Sequence, residues 1–241
     1  MIDVMARLMK IGIPVMAGIV AVCLLAILPG CGGGLPDVQE IWEKSEEAER
    51  NISSLHMEIA IYYQNTKFGG GQIQTTSIDV SGNNVHSTSA IFGQSFSEVI
   101  VVGGKQYGRF AGSEEWKEQP VTVSGRTATE QLEGFAQLPD TASSSENLGI
   151  ERVSGVEAYH LSFTLSPGQV SDLFKSVKPE QLAANSGGKV DVWVEKETNY
   201  RIKYEAVVNN VLITDKIGYG DMRITTTLTN INQPISITPP I

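Results

Sequence analysis

From Leu55 onward, apolar residues recur at every second position. Leu55, Met57, Ile59, Ile61 and Tyr63 alternate with His56, Glu58, Ala60, Tyr62 and Gln64. That period is a strand with one apolar face. Strand-like stretches continue at 72–80, 84–91, 96–102 and 105–110. Ser81-Gly82-Asn83, Phe92-Gly93 and the two-residue loop Gly103-Gly104 separate them. A short extended piece holds Trp116 and ends at Pro120. Ser143-Ser144-Ser145 reads as a loop. Ile150 to Val153 and Glu157 to Leu165 then bracket Ser154-Gly155 as a hairpin, with Tyr159, Leu161, Phe163 and Leu165 on one face. Strands at 188–196, 199–209 and 221–229 follow. Val190, Val192 and Val194 share a face, as do Tyr200, Ile202, Tyr204, Ala206 and Val208, and as do Met222, Ile224, Thr226 and Leu228.

Helical spacing occurs in three blocks. Val38, Ile41, Trp42, Ser45, Ala48 and Ile52 line one side of the first, and Glu43, Lys44, Glu46, Glu47 and Arg50 line the other. Asp37 with Glu40 reads as its capping box. The second runs from Thr127 to Leu138, with Thr127 and Glu130 as a capping box and Leu132, Phe135 and Leu138 on one side. The third runs from Pro167 to Ala184, broken near Pro179, and buries Val170, Leu173, Phe174 and Val177.

About ten strands and three helical blocks follow from these periods. Short connections make the strands antiparallel, and the helices do not alternate with them, so the class is α+β. An antiparallel sheet of that width curls. Three one-faced helices plug its concave side without filling the whole length. Side chains, water or a ligand must occupy the rest.

Ahead of this body, Arg7 and Lys10 precede an apolar run from Ile11 to Leu28, followed by Pro29, Gly30, Cys31 and three glycines. A basic start, an apolar middle and a small residue before a cut make a secretory signal. A cysteine directly after the cut resembles the lipobox of bacterial lipoproteins, although Pro29 stands where that pattern usually carries Ala or Ser. The resemblance implies cleavage before Cys31, diacylation of its thiol, and anchorage to the extracytoplasmic side of the cell membrane. The alternatives are a retained membrane helix and a plain cleaved signal peptide. The run is about 18 residues, near the lower limit for spanning a bilayer, and Pro14 and Pro29 disfavour an unbroken helix. The expected organisation is a signal peptide over 1–30, a lipidated tether over 31–36 and one domain over 37–241.

Cys23 would leave with the signal and Cys31 would be acylated, so no thiol remains for catalysis or metal. The formal charge is −9, and losing Asp3, Arg7 and Lys10 makes it −10. That argues against nucleic acid, whose phosphates need clustered Lys and Arg. His56, His86 and His160 lie apart on polar strand faces. Gly103-Gly104-Lys105 and Gly187-Gly188-Lys189 lack full phosphate-loop spacing and read as turns. Ser186 and Lys189 have Ser-x-x-Lys spacing, but in a glycine loop. Asn51-Ile52-Ser53 matches a glycosylation sequon, which behind a lipobox is read as chance. No enzyme activity and no cofactor are expected.

Several segments, in order, carry a wider resemblance. They are the lipobox; the helix ending in Ser53-Ser54-Leu55-His56-Met57; Val102-Gly103-Gly104-Lys105-Gln106-Tyr107-Gly108 with Trp116-Lys117; Val153-Ser154-Gly155-Val156-Glu157-Ala158-Tyr159-His160-Leu161; Val190-Asp191-Val192-Trp193-Val194; and Asn232-Gln233-Pro234-Ile235-Ser236-Ile237-Thr238-Pro239-Pro240. Together they resemble the LppX/LprG envelope lipoproteins, within the wider superfamily of LolA, LolB and RseB-like domains. The resemblance implies a strongly curved antiparallel half-barrel with helices over its concave face. It also implies a carrier of lipids or glycolipids between membrane layers, or else a sensor or protein-binding module. Expected partners are a lipid or glycolipid, the membrane through Cys31, and a transporter or another envelope protein; a monomer is expected. The candidate cavity lining is Trp42, Leu55, Met57, Ile59 and Ile61 at the start of the domain. Leu132, Phe135, Leu161, Phe163, Leu173 and Phe174 follow, with Val192, Val194, Ile202 and Tyr204 from the last strands.

Overall fold

The computed structural model describes residues 34–125, 135–174 and 177–240. Helix α1 (Val38–Glu49) leads into a six-strand meander: β1 (Ser54–Thr66), β2 (Gly69–Ser81), β3 (Asn84–Ile91), β4 (Gln94–Val102), β5 (Lys105–Phe110) and β6 (Lys117–Gln119). A short α2 (Leu138–Thr141) precedes β7 (Ser144–Val153) and β8 (Val156–Leu165). Then come α3 (Pro167–Leu173), a 3-10 turn (Pro179–Gln181), β9 (Leu182–Glu195), β10 (Arg201–Thr214) and β11 (Gly218–Thr229). The order is β6-β5-β4-β3-β2-β1-β11-β10-β9-β8-β7, antiparallel throughout. Two meanders therefore meet where the first strand pairs with the last. The sheet is curved and open, with edges at β6 and β7.

Every second residue faces one shared core. Leu55 and Met57 of β1, Ile78 and Val80 of β2, Leu161 and Phe163 of β8, and Val190, Val192 and Val194 of β9 bury there with Val38, Ile41 and Trp42 of α1. Trp42 meets Phe163 edge to face, with ring centroids 5.3 Å apart, and its indole N–H donates to the Ala136 carbonyl at 3.0 Å. Residues 35–241 make one compact unit. All ten strand pairings lie inside it, so this span carries what it needs to fold by itself.

The structure corrects several local expectations. Asp37 occupies the N-cap of α1, but its side chain makes no capping bond. The expected helix from Thr127, with Leu132, lies mostly outside the described residues. Ser144 and Ser145 are not loop but the start of β7, paired to Thr164 and Phe163. The third helix stops at Leu173, and 182–187 join β9 instead of a helix or loop. Polar residues hold that extension in place. The Ser186 hydroxyl donates to the Asn210 carbonyl at 2.7 Å and accepts from the Ala183 N–H at 2.8 Å. Gly187 and Gly188 are thus strand residues, not a turn. A Cβ on Gly188 would stand 2.7 Å from Val170 Cγ2, so the glycine is what lets α3 rest on β9.

Ile202 is also corrected. Arg201 pairs with Val194 while Lys203 pairs with Trp193, a one-residue slip. The slip turns Ile202 to the outer face, against Ala158 and Trp193. It leaves both Arg201 and Tyr204 facing α1.

Candidate functional site

The concave face changes along β1. Leu55 and Met57, under α1, have no exposure at all. Ile59, Ile61 and Tyr63, further along the same face, are only half-buried, as are Ile213 and Ile224 of the neighbouring strands. The apolar stripe therefore continues from the fully buried base into a half-buried stretch that packs against the edge of the core.

It ends in a pocket of about 300 Å³ lined by Tyr63, Thr66, Phe68, Gly69–Gly71, Gln72, Ile73, Phe92 and Ile217. Phe92 lies in the β3–β4 turn and Ile217 in the β10–β11 turn, with β2 and β1 between them in the sheet. Their meeting in one pocket marks the concave side of the curl. Register shifts interrupt the pairing of β1 with β2, β3 with β4, β9 with β10 and β10 with β11 near this end. Such bulges bend strands and increase their twist. The pocket volume is at the lower end of the usual range for small-molecule sites. A larger depression of about 630 Å³ lies mainly on the convex face, among Glu58, Thr75, Ser77, Thr88 and Ser95. It is lined largely by hydroxyls and a carboxylate, whereas aromatic and aliphatic side chains surround the concave pocket.

The base of the concavity holds a buried ion pair. Glu49, in the last turn of α1, accepts two bonds at 2.9 Å from Arg201 Nε, one to each carboxylate oxygen, and is also bonded by Nη2. The guanidinium lies over the Trp42 ring at 4.6 Å. Burial works against this charge, but the adjacent Tyr204 and Glu49 oxygens outweigh it and hold the Arg201 pKa above its ordinary value. Burial pushes the Tyr204 phenol up. Its hydroxyl finds no hydrogen-bond partner among the described residues.

The convex face is polar. A ladder crosses five strands: Arg109 to Glu98, Glu98 to His86 at 2.8 Å, His86 to Asp79, and Asp79 to His56 at 2.7 Å. His160 separately bridges Glu151 and Asp191 and stacks on Trp193 at 4.5 Å. Among the described residues, no group of three or more His, Cys, Asp or Glu side chains is arranged to hold a metal.

With this geometry the chain can be compared with solved structures. It superposes on the lipoprotein LppX of Mycobacterium tuberculosis with a TM-score of 0.55 and 15% identity, over 84% of this chain and 100% of that one. The chain has the LppX fold. LprF from Mycobacterium bovis gives 0.51 and 12% identity, over 84% of this chain and 96% of LprF. No family model matches the sequence, and no curated protein matches it.

Of the residues expected to line a cavity, Trp42, Leu55, Met57, Leu161, Phe163, Val192, Val194 and Tyr204 are closed into the core at the base. Phe174 joins them, and Phe135 and Leu173 pack on them half-buried. Phe135 stacks on Tyr204 with centroids 5.1 Å apart. Ile59 and Ile61 fall on the half-buried stretch that leads toward the pocket. Ile202 is on the other face, and Leu132 and Cys31 lie outside the described residues. The sequence reading missed the mouth itself. Phe68, Ile73 and Ile217 had no part in it, and Phe92 served only as a turn marker. The available signal was a Phe in or beside a turn in place of the usual small polar residue.

Proposed function

We propose that this protein is a membrane-anchored envelope lipoprotein that takes acyl chains of a lipid or glycolipid into its concave face and carries them between membrane layers. The observation that carries this reading is the half-buried apolar stripe of Ile59, Ile61 and Tyr63, which leads to the pocket that Tyr63 lines at the β1–β2 end. Burying a methylene there is worth about 0.8 kcal/mol, so shape need not be tight for a chain to be held. The LppX likeness in fold supports the same reading. Cys31 supplies the anchor, on the strength of the sequence before and after it. The reaction is desolvation, and no bond is made or broken.

The test is native mass spectrometry of residues 32–241 after purification without detergent, followed by titration with a fluorescent fatty acid. Co-purified lipid is expected, displaced by the probe. Recovery of no lipid together with no uptake of probe would refute the carrier role. Labelled palmitate should enter the full chain and not its Cys31→Ala variant; equal labelling would refute the anchor.

A protein-binding role is the second reading. The ten-residue edge of β7 pairs with no strand on its outer side among the described residues, and Leu148 and Ile150 on it are exposed. Such an edge can accept a partner's strand.

A further inference from the structure

Large apolar side chains are not exposed at random here. Four of the seven phenylalanines stand at one end of the sheet: Phe68 at 75% exposure, Phe92 at 71%, and Phe96 and Phe110 beside them. Tyr219 is exposed at the same end. Phe68 is in the β1–β2 turn and Phe92 in the β3–β4 turn, and both rings line the pocket mouth with Ile217 of the β10–β11 turn. Phe96 and Phe110 meet edge to face at 6.2 Å beyond them.

We infer that this end of the sheet docks on a lipid bilayer, with Phe68 and Phe92 inserted at the interface. Three observations favour a bilayer over a protein partner. Phe68 and Phe92 project from separate hairpin turns, each next to glycine, and not from one flat strand face of the kind that packs against a protein. Aromatic rings at the boundary between water and hydrocarbon are in their preferred environment. The charge fits locally: Lys67 and Lys216 outnumber Asp215 on the β1–β2 and β10–β11 turns, while Glu114 and Glu115 lie aside in the loop after Phe110. The Lys67 ammonium sits 5.0 Å from the centre of the Phe68 ring, and its flexible stem would let the charge reach the headgroup layer as the ring inserts.

This contact is independent of what the pocket holds, so it stands or falls apart from the carrier role. If both hold, the bilayer covers the mouth. An acyl chain then passes from membrane to pocket without crossing water.

Residues 32–241 contain no cysteine, so one introduced thiol carries one probe. Phe92→Cys labelled with an environment-sensitive fluorophore should shift to the blue when phosphatidylcholine vesicles are added, and more so with phosphatidylglycerol in them. Glu197→Cys, in the turn at the opposite end of the sheet, should not shift. Co-sedimentation with the same vesicles should fall more than tenfold in the Phe68→Ser, Phe92→Ser double variant, whose circular dichroism should match the parent. The inference is overturned if the Phe92 probe stays unshifted, if both probes shift alike, or if the folded double variant binds as well as the parent. It is also overturned if the Phe92 probe shifts without vesicles as a dimer forms, which would give the rim to a second copy.

Discussion

Removing the Glu49 carboxylate should unfold this domain more readily than any change on its surface. In the wild type, Arg201 has a side chain 5% exposed and Glu49 one 14% exposed. Glu49→Ala leaves the guanidinium buried beneath Trp42, with Nη1 already without a partner among the described residues. Breaking a buried pair in this way costs about 3–5 kcal/mol, because the remaining charge keeps its desolvation cost and loses its counter-charge. At about 2–4 °C per kcal/mol for a domain of this size, the melting temperature should fall by roughly 6–20 °C. Replacing both partners, Glu49→Leu with Arg201→Met, should recover most of that loss, since an apolar pair of similar volume carries no desolvation penalty. The control is Glu40→Ala, which removes an exposed pair with Lys44 and should leave the melting temperature unchanged. Thermal unfolding of residues 32–241 by circular dichroism reads all three. A Glu49→Ala loss no larger than that of Glu40→Ala would refute the claim that this pair locks α1 to β10.

Gly188→Ala puts a Cβ 2.7 Å from Val170 Cγ2 and 3.3 Å from Leu165 Cβ. It should cost about 1–3 kcal/mol in denaturant unfolding as α3 is pushed off the sheet, and a neutral result would mean that α3 shifts freely. Burial raises the Glu98 carboxyl, but its bonds from His86 and Arg109 outweigh this and hold its pKa below the ordinary carboxylate value. The sign follows from that depression: the stabilisation is complete above the unfolded value of about 4.3 and is lost as pH falls through the folded one. Glu98→Gln should therefore flatten the acid side of the stability profile, and an unchanged profile below pH 4 would count against the ladder's role.

Much of the architecture was legible because a period of two survives without knowledge of partners. Leu55 to Tyr63, Val190 to Val194 and Met222 to Leu228 all face as their alternation says. Alternation fails where the backbone slips. Ile202 matches its neighbours' pattern, yet the slip beside Arg201 reverses it, and only the distant Glu49 explains why Arg201 is drawn inward. Propensity fails where packing decides. Residues 183–187 are small and poor strand formers, and they become strand because Ser186 bonds Asn210 and Gly188 admits Val170. The candidate site was the least legible part. Apolar alternation marks the concave face but cannot say where the helices stop covering it. A residue at zero exposure and one half-open to solvent, two positions apart on β1, look the same in sequence.

That boundary on β1 has a consequence for how the domain breathes. Leu55 and Met57 are fully buried, so the amide protons around them should be among the slowest to exchange. Past Tyr63 the pairing with β2 is interrupted before Thr66, and protons there should exchange faster, through local fraying. One strand thus belongs to two regimes. Register breaks at one end and unbroken pairing under the helices at the other would let the two ends of the sheet differ in rigidity.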